Sequence, residues 1–520
     1  ALSGALTLNN TAANPFTIYL NGTPTSWSNT GTYSWDIITA ASQTGFTAGN
    51  FSVNVGSFGI ASANRTGTWT FSNPSGGTIR LTYAAATPDY IWSGTSGNWS
   101  SGFTPTAPVT DKNLVFTGSS GGTATNDIAS GTLSSVNYIT FNSTAGAYTL
   151  NATTGAAGLA GGTALTVRGD ILNNSANATG QTIAMNLNFG SSSTGSVNTA
   201  AGNITISGAI SGTGALNKDG NSTLTLSGNN TYSGTTTISA GTLQIGGAGL
   251  LGGGNYSNTI SNSGTLLSNS TGNQTLSGII SGAGALTKNN TSTLTLTASN
   301  SYTGATTINA GTLALNGNLS GGTAITTAGT GVLTQGASSI ISGTSTLTQN
   351  SSGTSTLAGN NTYSGTTTVS AGTLTLTGAS TGGGAVTVDG GTMNIQGNLT
   401  LGSNQFTVGN AGAGVVNQSA GTVSITSGNG LIVGAGSTSS SNGTYNLSGG
   451  VLNITPGANR GISIGWNSNS RGTFNMSGGT LTNSGTLQIG QTTDFDTAAQ
   501  LPSYIQTGGD ATHGTLTMGG

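Results

Sequence analysis

Apolar and polar residues alternate in short runs along most of the chain. In residues 223–226 (TLTL) and 242–245 (TLQI) every second residue is apolar, which predicts strands with Leu224 and Leu243 on the same face. Turn-forming pairs such as Ala240-Gly241 separate these runs. Short strands with one apolar face cannot bury a core by themselves, so the pattern predicts that successive segments stack on one another.

A 36-residue segment occurs three times in the centre of the chain. The copies begin at Ser211, Ser281 and Ser342, so the second interval is shorter than the first. Such unequal spacing indicates variable turns between copies, which are tolerated where each copy contacts only its neighbours. Residues that recur at one position of the copies are predicted to form ladders; they are Tyr232, Tyr302 and Tyr363, which we expect to stack on one another, and Leu243, Leu313 and Leu374.

A second, 29-residue repeat occupies the C-terminal part. Its copies open at Gly414 (GVVNQSAGTVSI), Gly443 (GTYNLSGGVLNI) and Gly472 (GTFNMSGGTLTN), and a degraded copy follows near Ser503. Both repeats favour a parallel β-helix, in which each coil pairs its strands with the coils above and below it. A propeller is not favoured, because its blades need a regular period of about 40–50 residues.

Four parts of the chain are distinguished by these patterns. We predict a β-rich terminal or assembly module, the start of a β-solenoid, a solenoid with 36-residue repeats and a solenoid with 29-residue repeats, at residues 1–87, 88–200, 201–380 and 381–520. The first part holds more tryptophan than so short a module needs for its own core, which predicts an assembly surface formed by Trp27, Trp35 and Trp69.

Composition excludes several classes of protein. The chain contains 90 glycines, charged residues make up 3%, and the ten acidic residues are all aspartate. A helix bundle is excluded, since helix surfaces are built from Glu, Lys and Arg. Disordered chains combine few apolar residues with high net charge, whereas this chain has 33% apolar residues and a net charge of −2. In a stacked β structure, identical residues of successive coils lie next to one another, and identical charges there would repel. The low content of charged residues is therefore consistent with ladders of stacked side chains.

Binding partners and cofactors are limited by the same composition. The eight Lys and Arg residues are scattered, so we expect no nucleic-acid binding, which needs a basic stripe. No run of 18 apolar residues is present, and we expect no membrane insertion by this chain. Cysteine is absent, which excludes disulfides and thiolate metal sites. We expect no cofactor and no metal site.

Few residues are candidates for catalysis. Asp494 and Asp496 would point to one side of a strand, but a solvated loop is favoured over a calcium or acid/base role. His513 is the sole histidine, and no Cys or Glu is available to partner it, so we predict a surface residue. Lys218-Asp219 is predicted in a turn without a charged role. Because the aspartates are scattered rather than clustered as glycan-cleaving enzymes require, the chain is predicted not to be an enzyme.

Three segments of the repeats resemble a known family. Residues 230–246 (NTYSGTTTISAGTLQIG), 301–316 (SYTGATTINAGTLALN) and 361–377 (NTYSGTTTVSAGTLTLT) are similar to the autotransporter-associated β-strand repeat, also called the passenger-associated transport repeat, of bacterial surface proteins. The segment WSGTSGNWS from Trp92 resembles the start of a unit in such proteins, and residues 1–87 resemble a module that ends one. The resemblance implies an all-β fold with a right-handed parallel β-helix, secretion or surface display, and a stalk-like or adhesive role.

The sequence therefore predicts a non-catalytic, secreted or cell-surface structural protein: a β-solenoid stalk, adhesin or extracellular fibre component. The chain ends in repeat-like sequence without a cap, and we expect its last coil to be completed by a longer polypeptide or by the N-terminal module of another copy, which would build filaments. Outward threonine rows, as at 223–225 and 293–295, leave open an ice- or glycan-binding solenoid with surface glycans as partners. A β-helix polysaccharide lyase or hydrolase is the second alternative.

Overall fold

A computed structural model shows an all-β protein, about 2% helical, with a parallel β-solenoid of about 16 turns after an N-terminal β module. The all-β solenoid prediction is confirmed. The structure describes residues 5–7, 16–22, 32–39, 42–44, 48, 51–58, 68–72, 78–84, 90–104, 107–159, 162–191, 193, 195–402, 404–426, 430–436, 441–455, 461–467, 470–490 and 502–518.

The N-terminal module combines parallel and antiparallel strand pairs. Two pairs are parallel, and a three-stranded antiparallel sheet has Thr78–Ala84 in its centre. The parallel pairs are Ala5–Thr7 with Ser42–Thr44 and Phe16–Gly22 with Phe51–Phe58, and the outer strands of the antiparallel sheet are Thr32–Thr39 and Thr68–Ser72.

An aromatic cluster closes the first coil of the solenoid. Trp92 and Trp99 are fully buried, and the ring of Phe103 lies 5.3 Å from that of Trp92 and 5.7 Å from that of Trp99. Trp99 begins the short helix Trp99–Gly102. A Cβ at Gly102 would lie 2.0 Å from the Trp92 ring, so only glycine fits there. The cluster serves as the terminal cap that a solenoid needs where stacking stops.

Three sheets, here called faces A, B and C, run along the solenoid. Their strands pair in parallel, except for one antiparallel pair in the cap, Phe103–Thr104 with Tyr90–Trp92. Face A contains Tyr90–Trp92, Phe103–Thr104, Lys112–Phe116, Ser135–Phe141, Leu165–Val167, Ile171–Asn173, Leu187–Asn188, Ser196–Asn198, Ile210–Ser211, Leu216–Asp219, Thr236–Ile238, Ile260–Asn262 and Ile280–Ser281. Face B contains Gly97–Asn98, Gly122–Asn126, Tyr148–Ala152, Gln181–Ile183, Ile204–Ile206, Thr223–Leu226, Thr242–Gly247, Thr265–Ser270, Ala285–Lys288, Thr306–Ile308, Ala324–Gly329, Thr346–Ser351, Thr367–Val369, Val386–Val388, Leu399–Leu401, Phe406–Val408, Thr422–Ile425, Leu431–Val433, Val451–Ile454, Ile462–Ile464, Thr480–Ile489 and Asp510–Met518.

Face C begins later in the chain than the other two. It contains Asn255–Tyr256, Gln274–Leu276, Thr293–Leu296, Thr312–Leu315, Val332–Gln335, Thr354–Leu357, Thr373–Leu376, Thr392–Ile395, Gly414–Gln418, Asn442–Leu447, Arg471–Met476 and Ser503–Gln506. Just before it, Asn229–Asn230 pairs with Leu250–Leu251, and a 3₁₀ turn spans Gly252–Gly254.

The two repeats differ in how much of the solenoid they build. Each 36-residue copy makes nearly two coils, so its own halves stack: Leu224 pairs with Leu243, and Leu294 pairs with Leu313. In the C-terminal part a 29-residue repeat makes one coil, since Gly414, Gly443 and Gly472 are register partners. Alternate residues point into one continuous apolar core, as the alternation predicts.

The first copy of the 36-residue repeat lies one face out of phase with the other two. Leu216, which opens its first strand, is on face A, whereas the equivalent Leu286 and Leu347 are on face B. From Leu286 to Leu347 the chain makes three coils, but from Leu216 three coils reach only Ile280. The first interval between copies, from Leu216 to Leu286, is therefore longer because the chain makes three coils and then continues to the next face.

Candidate functional surfaces

The outward side of face B carries an unbroken row of threonines over seven coils. Neighbours in the row are register partners on successive coils, and each side chain is half-buried. The row consists of Thr287, Thr307, Thr326, Thr348, Thr368, Thr387 and Thr407. Parallel pairing spaces such groups about 4.8 Å apart.

Face C carries two outward rows, of which one changes from threonine to asparagine. This row runs from Thr295 through Ala314 and three further threonines into Asn394, whose side chain accepts a hydrogen bond from Asn417 Nδ2 at 3.0 Å. Thr293 belongs to the other row. Asn446 and Asn475 extend this ladder at 2.8 Å each. Thr223 and Thr225 point outward from face B rather than face C, so the predicted threonine rows occupy two faces.

The three repeat tyrosines are buried and do not stack on one another. Tyr232, Tyr302 and Tyr363 lie at least three coils apart, too distant for ring contact at one coil per about 4.8 Å. The ring nearest to Tyr232 is that of Tyr256, at 5.6 Å. Instead, each hydroxyl bonds the threonine four residues later, at 2.7–2.8 Å. Burial raises the pKa of Tyr302 to about 12.

The repeat leucines lie in two different core rows. Leu313 and Leu374 are inward residues of face C, and Leu243 is an inward residue of face B. All three are fully or almost fully buried. The phase shift of the first copy accounts for this separation, because equivalent residues then point into the core from different faces.

Lys218 is in a strand and not in the turn that the sequence predicts. It lies near the end of the strand Leu216–Asp219, with its side chain inward and fully buried. Its Nζ donates to the carbonyl oxygens of Asp219, Gly220 and Ala240. Burial lowers the pKa of Lys218 to about 8, and Lys288 has the same surroundings and the same lowered pKa.

Of the candidates for catalysis, His513 lies within the described residues. Asp494 and Asp496 lie outside the described residues. His513 is half-exposed on the last strand, 5.7 Å from the ring of Tyr504, and among the described residues its Nδ1 has no hydrogen-bond partner. Burial lowers the pKa of His513. Within the same ranges, no three His, Cys, Asp or Glu side chains converge on a metal position, and no helix has the length and hydrophobicity to span a membrane.

The predicted tryptophan surface falls mostly outside the description. Trp27 lies outside the described residues. Trp35 and Trp69 are on the strands Thr32–Thr39 and Thr68–Ser72 of the antiparallel sheet, and their side chains also lie outside what the structure describes.

The last described coil exposes residues whose equivalents are buried in the coils before it. Leu431, Ile462 and Leu487 form a core row on face B that ends at Leu516, which is 60% exposed. On face C, the stack of Tyr445, Phe474 and Tyr504 has nearly parallel rings 5.3 and 5.4 Å apart and ends at the half-exposed Tyr504. The end of the described solenoid is therefore an apolar surface with a strand edge that no described coil pairs.

The central segment of the chain matches the model of a known repeat family. The passenger-associated-transport-repeat family matches four segments, at residues 216–245, 286–315, 347–375 and 371–395. Residues 216–395 carry passenger-associated transport repeats. The resemblance of the central repeats is confirmed. Comparisons with curated proteins and with solved structures found no match.

The fourth passenger-associated transport repeat is not among the three copies that the sequence pattern indicates. It ends in Thr392–Ile395, whose Met393 follows Leu374 in the core row of face C. The sequence does contain a pattern that could have indicated this fourth repeat: GTLTL begins at Gly372 and the similar GTMNI begins at Gly391. These two segments lie one coil apart.

A buried asparagine is a further structural element of three of the four matched segments. Asn230, Asn300 and Asn361 each precede the repeat tyrosine by two residues, and each Oδ1 accepts the backbone N–H of an isoleucine one coil earlier, at 2.8–3.0 Å. Each Nδ2 donates to a carbonyl oxygen two residues before it. The asparagine thus satisfies backbone groups of its own coil and of the coil before it, at a place where strand pairing covers only one or two residues.

Proposed function

We propose that this chain is a non-catalytic stalk of a bacterial surface protein, secreted or displayed outside the cell, that holds other modules away from the surface. The observation that carries the proposal is the continuous core under passenger-associated transport repeats, in which the repeat Asn, Tyr and Thr side chains bond within the core and to backbone groups. About 16 coils correspond to a rod of roughly 75 Å.

Head-to-tail assembly is the second part of the proposal. The exposed Leu516 and Tyr504 at the last described coil would be buried by a further β coil, and the exposed strand edge would be paired by it. We propose that another copy of the chain, or a continuation of the polypeptide, supplies that coil. A contact of this kind does not close on itself and therefore extends a filament.

Deleting a whole number of coils tests the stalk. Removal of the segment 286–346 takes out three coils, and Leu347 then occupies the position of Leu286 on the same face. We expect a folded rod shorter by about 14 Å, measured by electron microscopy. As a control, removal of the segment 286–316 takes out a fractional number of coils, puts core residues out of register and should prevent folding. If both deletions fold equally, or the first does not shorten the particle, the stalk proposal is wrong.

The enzyme alternative has a separate test. We expect no cleavage of acidic polysaccharides by the native chain. Hydrolysis or lyase activity that disappears when His513, Asp494 and Asp496 are together replaced by Ala would contradict the non-catalytic proposal.

A further inference from the structure

A cleft of about 270 Å³ opens on the outward side of face B, in the part built from 29-residue coils. Its floor is formed by Thr387, Thr407 and Ile432, which are register partners on three successive strands. The half-buried side chain of Trp466 forms one wall. The outward rows of faces B and C consist mainly of short side chains, so a large aromatic wall beside a recess stands apart from them.

The recess arises from three residues at the same position of successive coils. Each follows a glycine with positive φ, Gly409, Gly434 or Gly465 (70–75°), which turns the chain away from the strand. Backbone hydrogen bonds stack these residues directly: the N–H of Ala435 donates to Gly409, and the N–H of Trp466 donates to Gly434. Ala435 is thus the middle residue between Asn410 and Trp466, and its small side chain leaves the space that the cleft occupies.

Amide and hydroxyl groups supply the polar part of the lining. Gln405, Asn410 and Asn467 border the cleft together with the two floor threonines. Asn467 is held by a hydrogen bond from its Nδ2 to the carbonyl of Ala435. The backbone N–H of Asn410 donates to the carboxylate of Asp389 at 2.9 Å, which fixes the segment that carries it. Among the described residues that line the cleft, none has an ionisable side chain.

These features together specify the chemistry of a ligand. An aromatic face packs against the apolar C–H face of a ring, and the surrounding amides and hydroxyls can exchange hydrogen bonds with several ring substituents. A site without charge gives no advantage to an anion or a cation. The volume lies just below the range of about 300–1,000 Å³ for pockets of drug-sized ligands, so it suits one small ring.

We propose that this cleft binds one sugar unit of a neutral carbohydrate, stacked on Trp466 and hydrogen-bonded by Gln405, Asn410 and Asn467. The inference goes beyond the stalk, which would remain a folded rod whether or not the cleft is occupied. It assigns the glycan contact to a defined site rather than to the threonine rows.

Affinity electrophoresis tests the site with stated probes. Native gels containing galactomannan, dextran or hydroxyethyl cellulose should retard the chain, whereas polygalacturonate, which is anionic, should not. Saturation-transfer NMR with glucose, galactose, mannose and N-acetylglucosamine then identifies the sugar. We expect Trp466→Ala to weaken retardation at least tenfold, and Ala435→Leu, which fills the recess, to do the same.

Three controls accompany this test: a variant of a distant aromatic residue, a check of folding and a conservative variant of Trp466. Tyr138 is an aromatic residue away from the cleft, 39% exposed and on face A, so Tyr138→Ala should bind as the native chain does. Circular dichroism should show all variants folded, and Trp466→Phe, which keeps an aromatic face, should retain part of the binding. Absence of binding to every neutral probe, retention of full binding by folded Trp466→Ala, or equal loss in Tyr138→Ala would overturn the proposal. None of these outcomes would affect the length of the rod.

Discussion

Lys218 and Gln349 occupy the same position of the repeat, and both side chains donate to backbone carbonyl oxygens of the turn that follows. Lys218 Nζ reaches the carbonyl of Gly220 at 2.6 Å, and Gln349 Nε2 reaches those of Ser351 and Gly353 at 3.2 and 3.1 Å. Both side chains are fully buried. The position therefore needs a long hydrogen-bond donor and does not need a charge.

The buried lysines should make stability depend on pH. The pKa values of Lys218 and Lys288 are lowered by burial to about 8, against about 10.4 in an unfolded chain. Between these values the unfolded state binds more protons, so the free energy of unfolding should rise with pH, by about 2–3 kcal/mol per lysine. Above pH 10 the buried tyrosines reverse the trend, because Tyr302, with a pKa of about 12, stays protonated only when folded. Thermal unfolding measured from pH 7 to 11 should show a maximum near pH 10.

The chain itself provides the control for this prediction. Replacing Lys218 and Lys288 by Gln reproduces the residue found at position 349. The double variant should fold and show no rise in melting temperature between pH 8 and 10. A rise of the same size in that variant would mean that other groups cause it.

The hydroxyl pair of Tyr302 and Thr306 should stabilise the core as a unit. The two oxygens lie 2.8 Å apart and are buried. Tyr302→Phe or Thr306→Val alone leaves one buried hydroxyl without this partner, which should lower the free energy of unfolding by about 1–3 kcal/mol. The double variant should lose less than the sum of the two, and urea denaturation of all four proteins measures the coupling. If the losses in free energy of unfolding were strictly additive, the two hydroxyl groups would have no interaction energy with each other.

A carboxylate in a core row should be severely destabilising. Leu243 is fully buried between Leu224 and Leu266 of the adjoining coils. Leu243→Asp places an unpaired charge there and should cost several kcal/mol, whereas Leu243→Met, of similar volume, should cost less than about 1.5 kcal/mol. Denaturant unfolding compares the two. Equal stability of the Asp and Met variants would contradict the assigned core.

The alternation of residues predicts the strands but not the face on which each strand lies. Sequence spacing places Leu224 and Leu243 on one face, and the structure pairs them directly. The phase shift of the first copy could not be predicted, because it depends on how the segment between Leu251 and Ile260 bends: a 3₁₀ turn and the first strand of face C are inserted there. Identical sequence motifs therefore lie on different faces.

The buried donor and the cleft show a second limit of sequence reasoning. Lys218-Asp219-Gly220 has the composition of a turn, but the strand extends through Asp219 and turns Lys218 inward. The cleft depends on Ala435 lying between Asn410 and Trp466, which are distant from it in the chain. Only the coil register brings these three together, although the glycine before each of them is visible in the sequence.

Association through the last described coil should depend on its exposed core residue. Leu516 continues the row of Leu487 and is 60% exposed, so a stacked coil would bury it together with the edge strand. We expect light scattering and electron microscopy to detect end-to-end species of the native chain, and Leu516→Lys to reduce them, because stacking would then bury a charge. Ile279 is 45% exposed on the side of the solenoid, and Ile279→Lys, which adds the same charge away from the end, should leave association unchanged. A native chain that stays monomeric at high concentration, or equal effects of the two lysines, would show that head-to-tail stacking does not occur through this coil.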